Sequence, residues 1–339
     1  MKRKSVTMDD VAERAQVSRQ TVSRVLHSND YVSEQTREKV EKAIKTLGFF
    51  PDPVARSLAH NRTYLVAVVV PEFTGYTRAR VLVGAEAEAR QQGYNVFICG
   101  SEVGELGEPL GSPLLNSQRA EGVLILYRGS SKDHHRLLDT VRPDLPVVTI
   151  GYAPKNPNVT RILVDNRRGA CQAVKHLLDC GHRRIAQVSG PKGRYDADER
   201  AQGFRKALRE AGIQPDEKLL RYGNWTPDSG YEQMTRLLDE GISFSAVFTH
   251  SDLMALGCTQ ALKDRGVKIP EDVGVIGFDD ISITQFVDPP LTSVHQPFFE
   301  MGQAAMRVLI GRISGKKPNG TKVVLPTTLV IRRSSCVTN

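Results

Sequence analysis

Hydrophobic residues in the first 50 positions recur at the spacing of α-helices, in three short segments. Thr7, Ser18 and Ser33 each precede one segment and carry the hydroxyl group favoured at helix N-termini, and Gly48 follows the third segment as a helix end. The periodic positions are Val11 and Ala15, then Val22, Val25 and Leu26, then Val40, Ile44 and Leu47. The pattern predicts three short helices within residues 1–50.

A different pattern begins at Leu65, where short apolar runs alternate with longer amphipathic stretches. The apolar runs are Leu65–Val70, Val123–Leu126, Val147–Ile150, Ile185–Val188, Ala246–Phe248 and Val273–Ile276. The amphipathic stretches are Ala79–Gln92, Gly169–Cys180, Ala197–Ala211, Ser229–Glu240 and Asp252–Arg265. Such alternation predicts a parallel sheet with helices on both faces. Roughly 270 residues of it exceed one domain of ordinary size, which favours two α/β lobes.

Composition adds a charge asymmetry to this picture. The 339-residue chain carries 46 Lys and Arg residues against 38 Asp and Glu residues, a formal net charge of +8. Basic residues outnumber acidic ones in the segment through Arg62, so a phosphate backbone would bind there. Hydrophobic residues make up 40% and charged residues 25% of the chain, which is ordinary for a protein with a buried core.

The sequence indicates a cytoplasmic protein. No apolar run approaches the roughly 20 residues that a membrane helix needs, and the start MKRKSVTMDD has no hydrophobic segment behind its basic residues. There are five cysteines without a CxxC pair, at Cys99, Cys171, Cys180, Cys258 and Cys336. Their spacing predicts neither a disulfide framework nor a metal site. We therefore expect reduced cysteines that mostly serve as packing residues.

The second predicted helix presents a polar face suited to DNA. Val22 and Val25 would anchor this helix from below, which leaves an exposed face made of Arg19, Gln20, Ser23 and Arg24. A helix presented in this way fits the major groove. There Arg pairs with guanine and Gln with adenine, while Ser18 and Thr21 suit phosphate oxygens. The alternative is the solvated face of an ordinary three-helix bundle.

The same segment resembles the N-terminal headpiece of the LacI family of bacterial repressors. The matching positions are Asp10-Val11-Ala12, Val17-Ser18, Thr21-Val22-Ser23-Arg24-Val25-Leu26, Val32-Ser33, Thr36-Arg37, Val40, Ala43, Leu47-Gly48-Phe49 and Pro51. Gln16 stands where the family usually has Gly, and Phe49 where it has Tyr; we expect neither change to threaten the fold. The resemblance implies base contacts from Arg19, Gln20, Ser23 and Arg24, and phosphate contacts from Thr7, Ser18, Thr21, Ser33 and Thr36.

The resemblance extends to a hinge that follows the headpiece. Family members carry a short helix there that inserts a leucine into the minor groove, and Arg56-Ser57-Leu58-Ala59 matches its position. This implies Leu58 as the wedge, with Ala55 beside it, because an apolar wedge unstacks a base step and kinks the duplex. A two-turn helix is marginal alone and should form only against DNA and a partner hinge. The alternative is an inert linker.

The rest of the chain resembles the two-lobed periplasmic-binding-protein core of the same family, in which the ligand lies in the cleft. The signature stretches are Asp165-Asn166, Gly181–Ala186, Gly203-Phe204, Ser251–Ala255, Gly277–Asp280 and Pro290–Pro297. The resemblance implies effector contacts from Arg200, Trp225, Ser251, Asp252, Asp279 and Gln296. Ser251 stands where many relatives have Asn, and its shorter side chain alters the reach of that contact.

These cleft candidates suit a neutral, polyhydroxylated ligand. Trp225 offers a flat apolar face for stacking on a sugar ring, Arg200 and Asp279 offer a charged donor and acceptor for hydroxyl groups, and Gln296 can act as either. Structural alternatives stay open. Trp225 is a candidate core residue, Arg200 and Asp279 are a candidate structural ion pair, and Asp252 is a candidate helix N-cap.

The predicted fold is a small all-α helix-turn-helix domain followed by an α/β core of two doubly wound parallel-sheet lobes. The expected boundaries are 1–50 for the headpiece, 51–62 for the hinge, 63–163 with 292–320 for the N-terminal lobe, and 164–291 with 321–333 for the C-terminal lobe.

The resemblance predicts a ligand-responsive repressor of carbohydrate-utilisation genes that is released from a palindromic operator by a small sugar-like effector. A homodimer is expected, because no leucine-rich helix of the tetramer-forming kind follows Arg333. The alternative is a co-repressor-dependent repressor or an activator that responds to a nucleoside, a purine or another metabolite.

Three other classes of protein fit the sequence less well. The chain has no GxxxxGK[ST], HExxH or GxSxG motif, so we expect no enzyme and assign no catalytic residue, metal or cofactor. The headpiece argues against a non-regulatory sugar-binding protein, and the long core argues against an architectural DNA-binding protein.

Overall fold

The computed structural model divides the chain into two compact units, Met1–Tyr64 and Leu65–Asn339. The structure describes residues 6–26, 32–49, 62–70, 75–100, 119–126, 138, 141–151, 156, 158–316, 320 and 322–337. Of the predicted hinge, only Arg62 belongs to this part of the chain, so Ala55 and Leu58 lie outside the described residues. None of the helices within these ranges is both long and apolar enough to cross a membrane.

The first unit contains the three predicted helices, which are α1 (Met8–Ala15), α2 (Arg19–Leu26) and α3 (Glu34–Leu47). The predicted caps are confirmed. The side-chain oxygen of Thr7 accepts a hydrogen bond from the Asp10 amide, and that of Ser33 accepts one from the Thr36 amide. Apolar side chains from all three helices form one core, whose most buried members are Val11, Val22 and Val40.

Gln16 ends α1 in a left-handed backbone conformation, with φ 54° and ψ 48°. Its amide hydrogen-bonds to the carbonyls of Ala12 and Glu13, and so turns the chain towards α2. A residue with a Cβ atom resists this conformation at a cost of about 1–2 kcal/mol, whereas glycine adopts it freely. This explains why the LacI family usually has glycine at the position of Gln16. The fold tolerates Gln16, as expected, but at a local cost.

We expect Gln16→Gly to stabilise the first unit by about 0.5–1 kcal/mol, because the strain outweighs the extra freedom of glycine in the unfolded chain. Native-state hydrogen exchange of the α1 and α2 amides in the full-length protein would measure the gain. Gly48→Ala is the matched control. Gly48 has φ 62°, so this change should lower the stability. An unchanged or faster exchange in Gln16→Gly would refute the assignment of strain to Gln16.

The second unit holds two six-stranded sheets, and its first sheet has the order β11-β5-β4-β3-β1-β2. Every pairing in this sheet is parallel. Its strands are β1 (Leu65–Val70), β2 (Asn95–Gly100), β3 (Gly122–Ile125), β4 (Val147–Ile150), β5 (Val159–Val164) and β11 (Lys322–Leu325). The central strands β3 and β4 are buried along their whole length. This matches the continuous apolar runs expected of a parallel sheet covered on both faces.

The second sheet has the order β12-β10-β9-β8-β6-β7, and only its edge pair β10–β12 is antiparallel. Its strands are β6 (Ile185–Ser189), β7 (Leu220–Tyr222), β8 (Ala246–Thr249), β9 (Gly274–Asp279), β10 (Thr292–His295) and β12 (Thr328–Val330). The predicted fold class, a helical domain followed by two parallel-sheet lobes, is therefore confirmed.

The sheet pairings correct two of the expected lobe boundaries. We expected 292–320 in the N-terminal lobe, but Thr292–His295 pairs with β9 in the second sheet. We expected 321–333 in the C-terminal lobe, but Lys322–Leu325 pairs with β5 in the first sheet. The chain therefore crosses after Gln296 and after Leu325. The physical reason is that hydrogen-bond partners, which the sequence does not reveal, decide which sheet a short strand joins.

Six helices cover the two sheets in the described part of the second unit. They are α4 (Tyr76–Gln91), α5 (Asn166–Asp179), α6 (Tyr195–Glu210), α7 (Pro227–Asp239), α8 (Asp252–Asp264) and α9 (Phe298–Ile313). In the first lobe α4 and α9 approach very closely, because Gly84 and Gly302 face the opposite backbone. A Cβ atom on either glycine would lie 2.0 Å from a carbonyl oxygen of the other helix, that of Phe299 or Val81.

An ion pair between Glu88 of α4 and Arg307 of α9 also stabilises the contact between these two helices. The Glu88 carboxylate accepts hydrogen bonds of 3.0 Å from Nε and 2.6 Å from Nη2 of Arg307. Burial by itself would raise the pKa of Glu88, but the hydrogen bonds from Arg307 and Gln92 and the Arg307 charge lower the pKa overall. Glu88 therefore stays ionised and paired at neutral pH.

The expectation for the cysteines is confirmed for three of them and wrong for the other two. Cys99, Cys171 and Cys258 are free and buried, as packing residues should be. Cys180 and Cys336 instead form a disulfide across a sequence separation of 156 residues. The spacing could not predict this pair, because the fold brings the C-terminal segment back to the end of α5.

Candidate functional sites

The exposed face of α2 is the first candidate site. The side chains of Arg19, Gln20 and Arg24 are exposed and that of Ser23 is partly buried. The buried side chains of Val22 and Val25 anchor the opposite side of the helix. Arg19 Nη1 lies 3.6 Å from Asp9 Oδ2, in an ion pair that is exposed on both sides and is therefore weak and easily exchanged for a phosphate or a base. Base reading by these four residues stays a prediction.

The candidate phosphate contacts sit at helix starts and already make local hydrogen bonds. Ser18 Oγ lies 2.9 Å from Thr21 Oγ1, and Ser33 Oγ lies 2.9 Å from Thr36 Oγ1. Because a hydroxyl has one proton and two lone pairs, each pair retains one proton for a phosphate oxygen.

Thr7 differs from the other candidate phosphate contacts, because its hydroxyl donates to Asp10 Oδ2 at 2.7 Å. Its proton is therefore used within the cap.

The second candidate site lies at the carboxyl edge of the second sheet. Asp279 ends β9, Gln296 follows β10, and His250 follows β8. The three crossings between the lobes also leave from carboxyl ends of strands, after β5, β10 and β11. The carboxyl edges of both sheets therefore meet at the junction of the lobes, which is where open α/β sheets bind ligands.

A buried arginine organises this edge. Arg200 of α6 is only 1% exposed. Its Nε donates to Asn166 Oδ1 at 2.8 Å, its Nη1 donates to the His250 carbonyl, and the same Nη1 lies 3.9 Å from Asp279 Oδ1. Its Cζ atom lies 3.8 Å from the centroid of the Phe278 ring, in the stacked position that favours a cation over an aromatic face. The structural pairing of Arg200 with Asp279, left open by the sequence, is thus observed.

Asp279 and Gln296 form the acidic side of the same cluster. Gln296 Nε2 donates to Asp279 Oδ1 at 2.5 Å, and both side chains are buried. Asp279 and the following Asp280 have positive φ angles of 119° and 54°. Such conformations are strained for residues with a Cβ atom, and they concentrate at ligand sites. The strain turns the chain at the end of β9 and leaves the Asp279 carboxylate beside Arg200.

Ser251 and Asp252 are used for structural hydrogen bonds. Ser251, not Asp252, is the N-cap of α8, since its side chain accepts from the Met254 amide. Asp252 is fully buried, and its carboxylate accepts from the Ile281 amide at 2.8 Å and from Ser293 Oγ at 2.5 Å. Burial raises the pKa of Asp252 well above its usual range, and the charge of Asp279 raises it further. Their role as effector contacts stays a prediction.

Trp225 lies next to this cluster. Its backbone has a φ of 76°, its ring packs over Gly190, and its side chain is partly buried. A Cβ atom on Gly190 would approach the indole to 2.2 Å, so only glycine leaves room for the ring there. Arg200 Cζ lies 5.6 Å from the Trp225 ring. The structure thus brings Arg200, Trp225, Asp279 and Gln296 together.

Sequence reasoning missed two side chains that complete the cluster. Asn166 belongs to a signature stretch to which the sequence assigned no ligand role; Asp165 is the N-cap of α5, and Asn166 accepts the hydrogen bond from Arg200. His250 is fully buried, and its Nδ1 accepts from the Gly190 amide and faces Ser189 Oγ at 3.1 Å. Burial holds the pKa of His250 well below its usual range, and the Arg200 charge lowers it further. No local pattern marks either residue, because their partners are distant in sequence.

The first lobe contributes a small cavity at its own carboxyl edge, which the sequence did not reveal. It has a volume of about 40 Å³. Its lining consists of Thr77, Arg78, Val81, Leu126, Ile150, Phe298 and Met301. Thr77 and Arg78 supply polar groups from the first turn of α4, so they are further candidates for the effector site.

This construction, a helix-turn-helix unit combined with a two-sheet core that has a polar site at its carboxyl edges, defines the ligand-responsive DNA-binding regulators of transcription. Residues 7–52 match the bacterial regulatory proteins of the lacI family, and residues 174–335 match the periplasmic binding protein-like domain. The HTH-type transcriptional regulator CelR of Thermobifida fusca is 38% identical, over 98% of this chain and 99% of that protein. The chain belongs to the LacI family.

Two solved structures show the same architecture. One is described as a transcriptional regulator CelR–cellobiose complex, with 37% identity, a TM-score of 0.75, and coverage of 97% of this chain and 100% of that chain. The other is the Lac repressor dimer bound to operator and the anti-inducer ONPF, with 31% identity, a TM-score of 0.79, and coverage of 98% and 100%. The relatives are transcriptional regulators.

The edge of the second site carries a histidine that couples stability to pH. His295 Nδ1 lies 3.1 Å from Asp280 Oδ2, and Arg332 Nη2 donates to Asp280 Oδ1 at 2.8 Å. The hydrogen bond to Asp280 raises the pKa of His295, although burial opposes it. Burial by itself would raise the pKa of Asp280, but the bonds from His295 and Arg332 lower it overall.

Because the pKa of His295 is raised by folding, its contribution to stability is complete below the unfolded value of 6.5 and disappears as the pH rises through the folded value. Below pH 6.5 we expect His295→Gln to lower the free energy of unfolding by less than about 1 kcal/mol, since the side chain is partly exposed. Above the folded pKa of His295, the substitution should leave the free energy of unfolding unchanged. Urea unfolding of both proteins at about pH 6 and about pH 8.5 measures this. An identical difference at both pH values would contradict the assignment.

Proposed function

We propose that this protein represses carbohydrate-utilisation genes by binding a palindromic operator as a homodimer, and that a neutral sugar-like effector releases it. It acts by binding rather than by catalysis, in the cytoplasm, where operator DNA lies.

The observation that most supports operator binding is the exposed face of α2. Two arginines, a glutamine and a serine project from a helix whose opposite side is fixed by buried valines. A fixed helix positions these side chains against base edges at little entropic cost, and Arg and Gln have the donors and acceptors that distinguish guanine and adenine in the major groove. Because one such helix reads only a half-site, a symmetric dimer on a palindrome follows.

The charges of the cleft support a neutral effector. The Arg200 guanidinium already meets acceptors on Asn166, His250 and Asp279, and Asp279 also accepts from Gln296. An anionic ligand would have to separate these buried partners, which costs several kcal/mol. A neutral ligand instead adds hydrogen bonds at the surface of the cluster.

The partly buried ring of Trp225 supports a sugar among neutral ligands. It lies beside the polar cluster, so an apolar face and hydrogen-bonding groups are adjacent. Sugars present the same combination, with C–H faces and ring hydroxyl groups. The cellobiose complex of the related CelR points to the same ligand class. Closure of the two lobes around the ligand would carry the signal, since hinge closure is a common switching motion.

For DNA reading, we expect Arg24→Ala to weaken binding to an operator selected from random duplexes by about 1–3 kcal/mol, and to relax the sequence preference at one position of each half-site. Fluorescence anisotropy at fixed salt, with selected and scrambled duplexes, measures both effects.

Lys45→Ala is the matched control for this test, since Lys45 is an exposed cation in the last turn of α3 and does not belong to α2. It should lower the affinity for both duplexes equally. Equal losses on selected and scrambled DNA for Arg24→Ala would refute base reading by Arg24.

For the effector, we expect a neutral sugar in a panel containing cellobiose, monosaccharides, nucleosides and purines to raise the melting temperature and to weaken operator binding. A ligand at 100 times its dissociation constant adds about 2.7 kcal/mol, which is several degrees for a protein of this size. Trp225→Ala should abolish both effects.

Phe286→Ala is the control for Trp225→Ala, because Phe286 is an aromatic residue of the same lobe that is 76% exposed. It should keep the full response. A response to nucleosides or purines alone, or stronger operator binding with the sugar, would overturn the proposed effector. Operator binding could survive that result, so the two parts of the proposal fail separately.

A further inference from the structure

Three side chains with metal-binding atoms converge where α5 ends. His176 and Cys180 are four residues apart on one side of this helical end, and Cys336 comes from the C-terminal segment. His176 Nε2 lies 3.7 Å from Cys180 Sγ and 3.5 Å from Cys336 Sγ. All three side chains are partly buried, and their ligand atoms lie within 4.8 Å of one another.

We propose that His176, Cys180 and Cys336 bind one thiophilic divalent cation of the zinc type when the two thiols are reduced. Tetrahedral zinc with bonds of about 2.3 Å to sulfur and about 2.0–2.1 Å to nitrogen has N···S edges of roughly 3.6 Å. The two N···S distances here bracket that value, and reduction has to free the two sulfurs to separate to about 3.8 Å, the S···S edge of the same tetrahedron. A disulfide by itself requires no imidazole nitrogen beside it, whereas a metal site requires one with this separation.

The surroundings hold the C-terminal ligand in place before any metal binds. Ser334 Oγ donates to the Val275 carbonyl at 2.6 Å and accepts from the Thr292 amide at 2.8 Å. Ser335 Oγ lies 2.8 Å from Thr292 Oγ1, and both serines are buried. Cys336 therefore follows a segment that is already fixed to β9 and β10. Binding at this site needs little ordering of the chain.

One existing hydrogen bond would be exchanged. His176 Nε2 lies 2.9 Å from Ser335 Oγ, and the cation would take this nitrogen instead. Ser335 keeps its contact with Thr292, so no buried hydroxyl loses its last partner. Three protein ligands leave a fourth position to water, which reaches a partly buried site. Binding releases the thiol protons, because thiolates are the ligands.

The disulfide and the metal site are two exclusive states of the same cysteine pair. The sulfur atoms of the Cys180–Cys336 bond cannot also act as thiolates. Disulfides rarely persist in the reducing compartment where DNA-binding regulators work, and clustered Cys and His residues there more often bind metal. The sequence did not predict this site, because Cys336 lies 156 residues beyond Cys180.

The test uses full-length protein that has been reduced, stripped with a chelator and freed of both reagents. We expect it to bind one Zn²⁺ per chain in competition with a chromophoric chelator, and to give thiolate-to-metal charge-transfer bands with Co²⁺. Cys180→Ser and Cys336→Ser should each weaken binding at least about 100-fold, since even outer partners of metal ligands account for 10–100-fold. Zinc should raise the melting temperature of the wild type alone.

Cys171→Ser is the matched control, because Cys171 lies on the same helix and is a buried packing residue outside the cluster. It should keep full zinc binding. Circular dichroism of each variant verifies that it is folded. The proposal is overturned if the reduced wild type binds no zinc, or if the Cys180→Ser/Cys336→Ser protein binds it as tightly. It is also overturned if excess reductant leaves the Cys180–Cys336 bond closed.

Discussion

The internal neutralisation of Arg200 is the interaction on which the candidate effector site depends. A guanidinium removed from water is costly unless acceptors surround it. Here those acceptors come from the start of α5, the end of β8 and the end of β9. Arg200 therefore joins α5, β8 and β9 at one point on the carboxyl edge of the second sheet. Asp279 lies 3.9 Å from this charge and accepts a hydrogen bond from Gln296, and the ring of Phe278 covers one face of the guanidinium.

The sequence predicted what is local in this structure. The hydroxyl groups of Thr7 and Ser33 marked helix starts because a cap acts within three residues, and the apolar runs of the central strands marked β3 and β4 because both faces are covered. The α2 face was predictable for the same reason. Asn166 and His250 were not, since their roles come from Arg200 and Gly190, which lie far along the chain. The bond between Cys180 and Cys336 escaped prediction on the same ground.

The misplaced lobe boundaries have a related cause. Thr292–His295 and Lys322–Leu325 are four-residue strands at or near the sheet edges. Such strands carry too few residues for an apolar pattern to indicate a partner, and either sheet could accept them on hydrophobicity alone. Their hydrogen-bond partners on β9 and β5 determine the choice. Gln296 illustrates the result, since a residue assigned to one lobe by sequence contributes to the polar cluster of the other.

The contact between α4 and α9 has a mechanical consequence. Backbone meets backbone at Gly84 and Gly302, so no flexible side chain is available there to absorb a displacement. Helix α9 begins two residues after Gln296, at the edge of the polar cluster. A displacement of α9 towards α4 at these glycines would bring backbone atoms into collision, so side-chain rotation cannot accommodate it. The glycine contact therefore joins the start of α9, next to the polar cluster, to the helix on the other side of the first lobe's carboxyl edge.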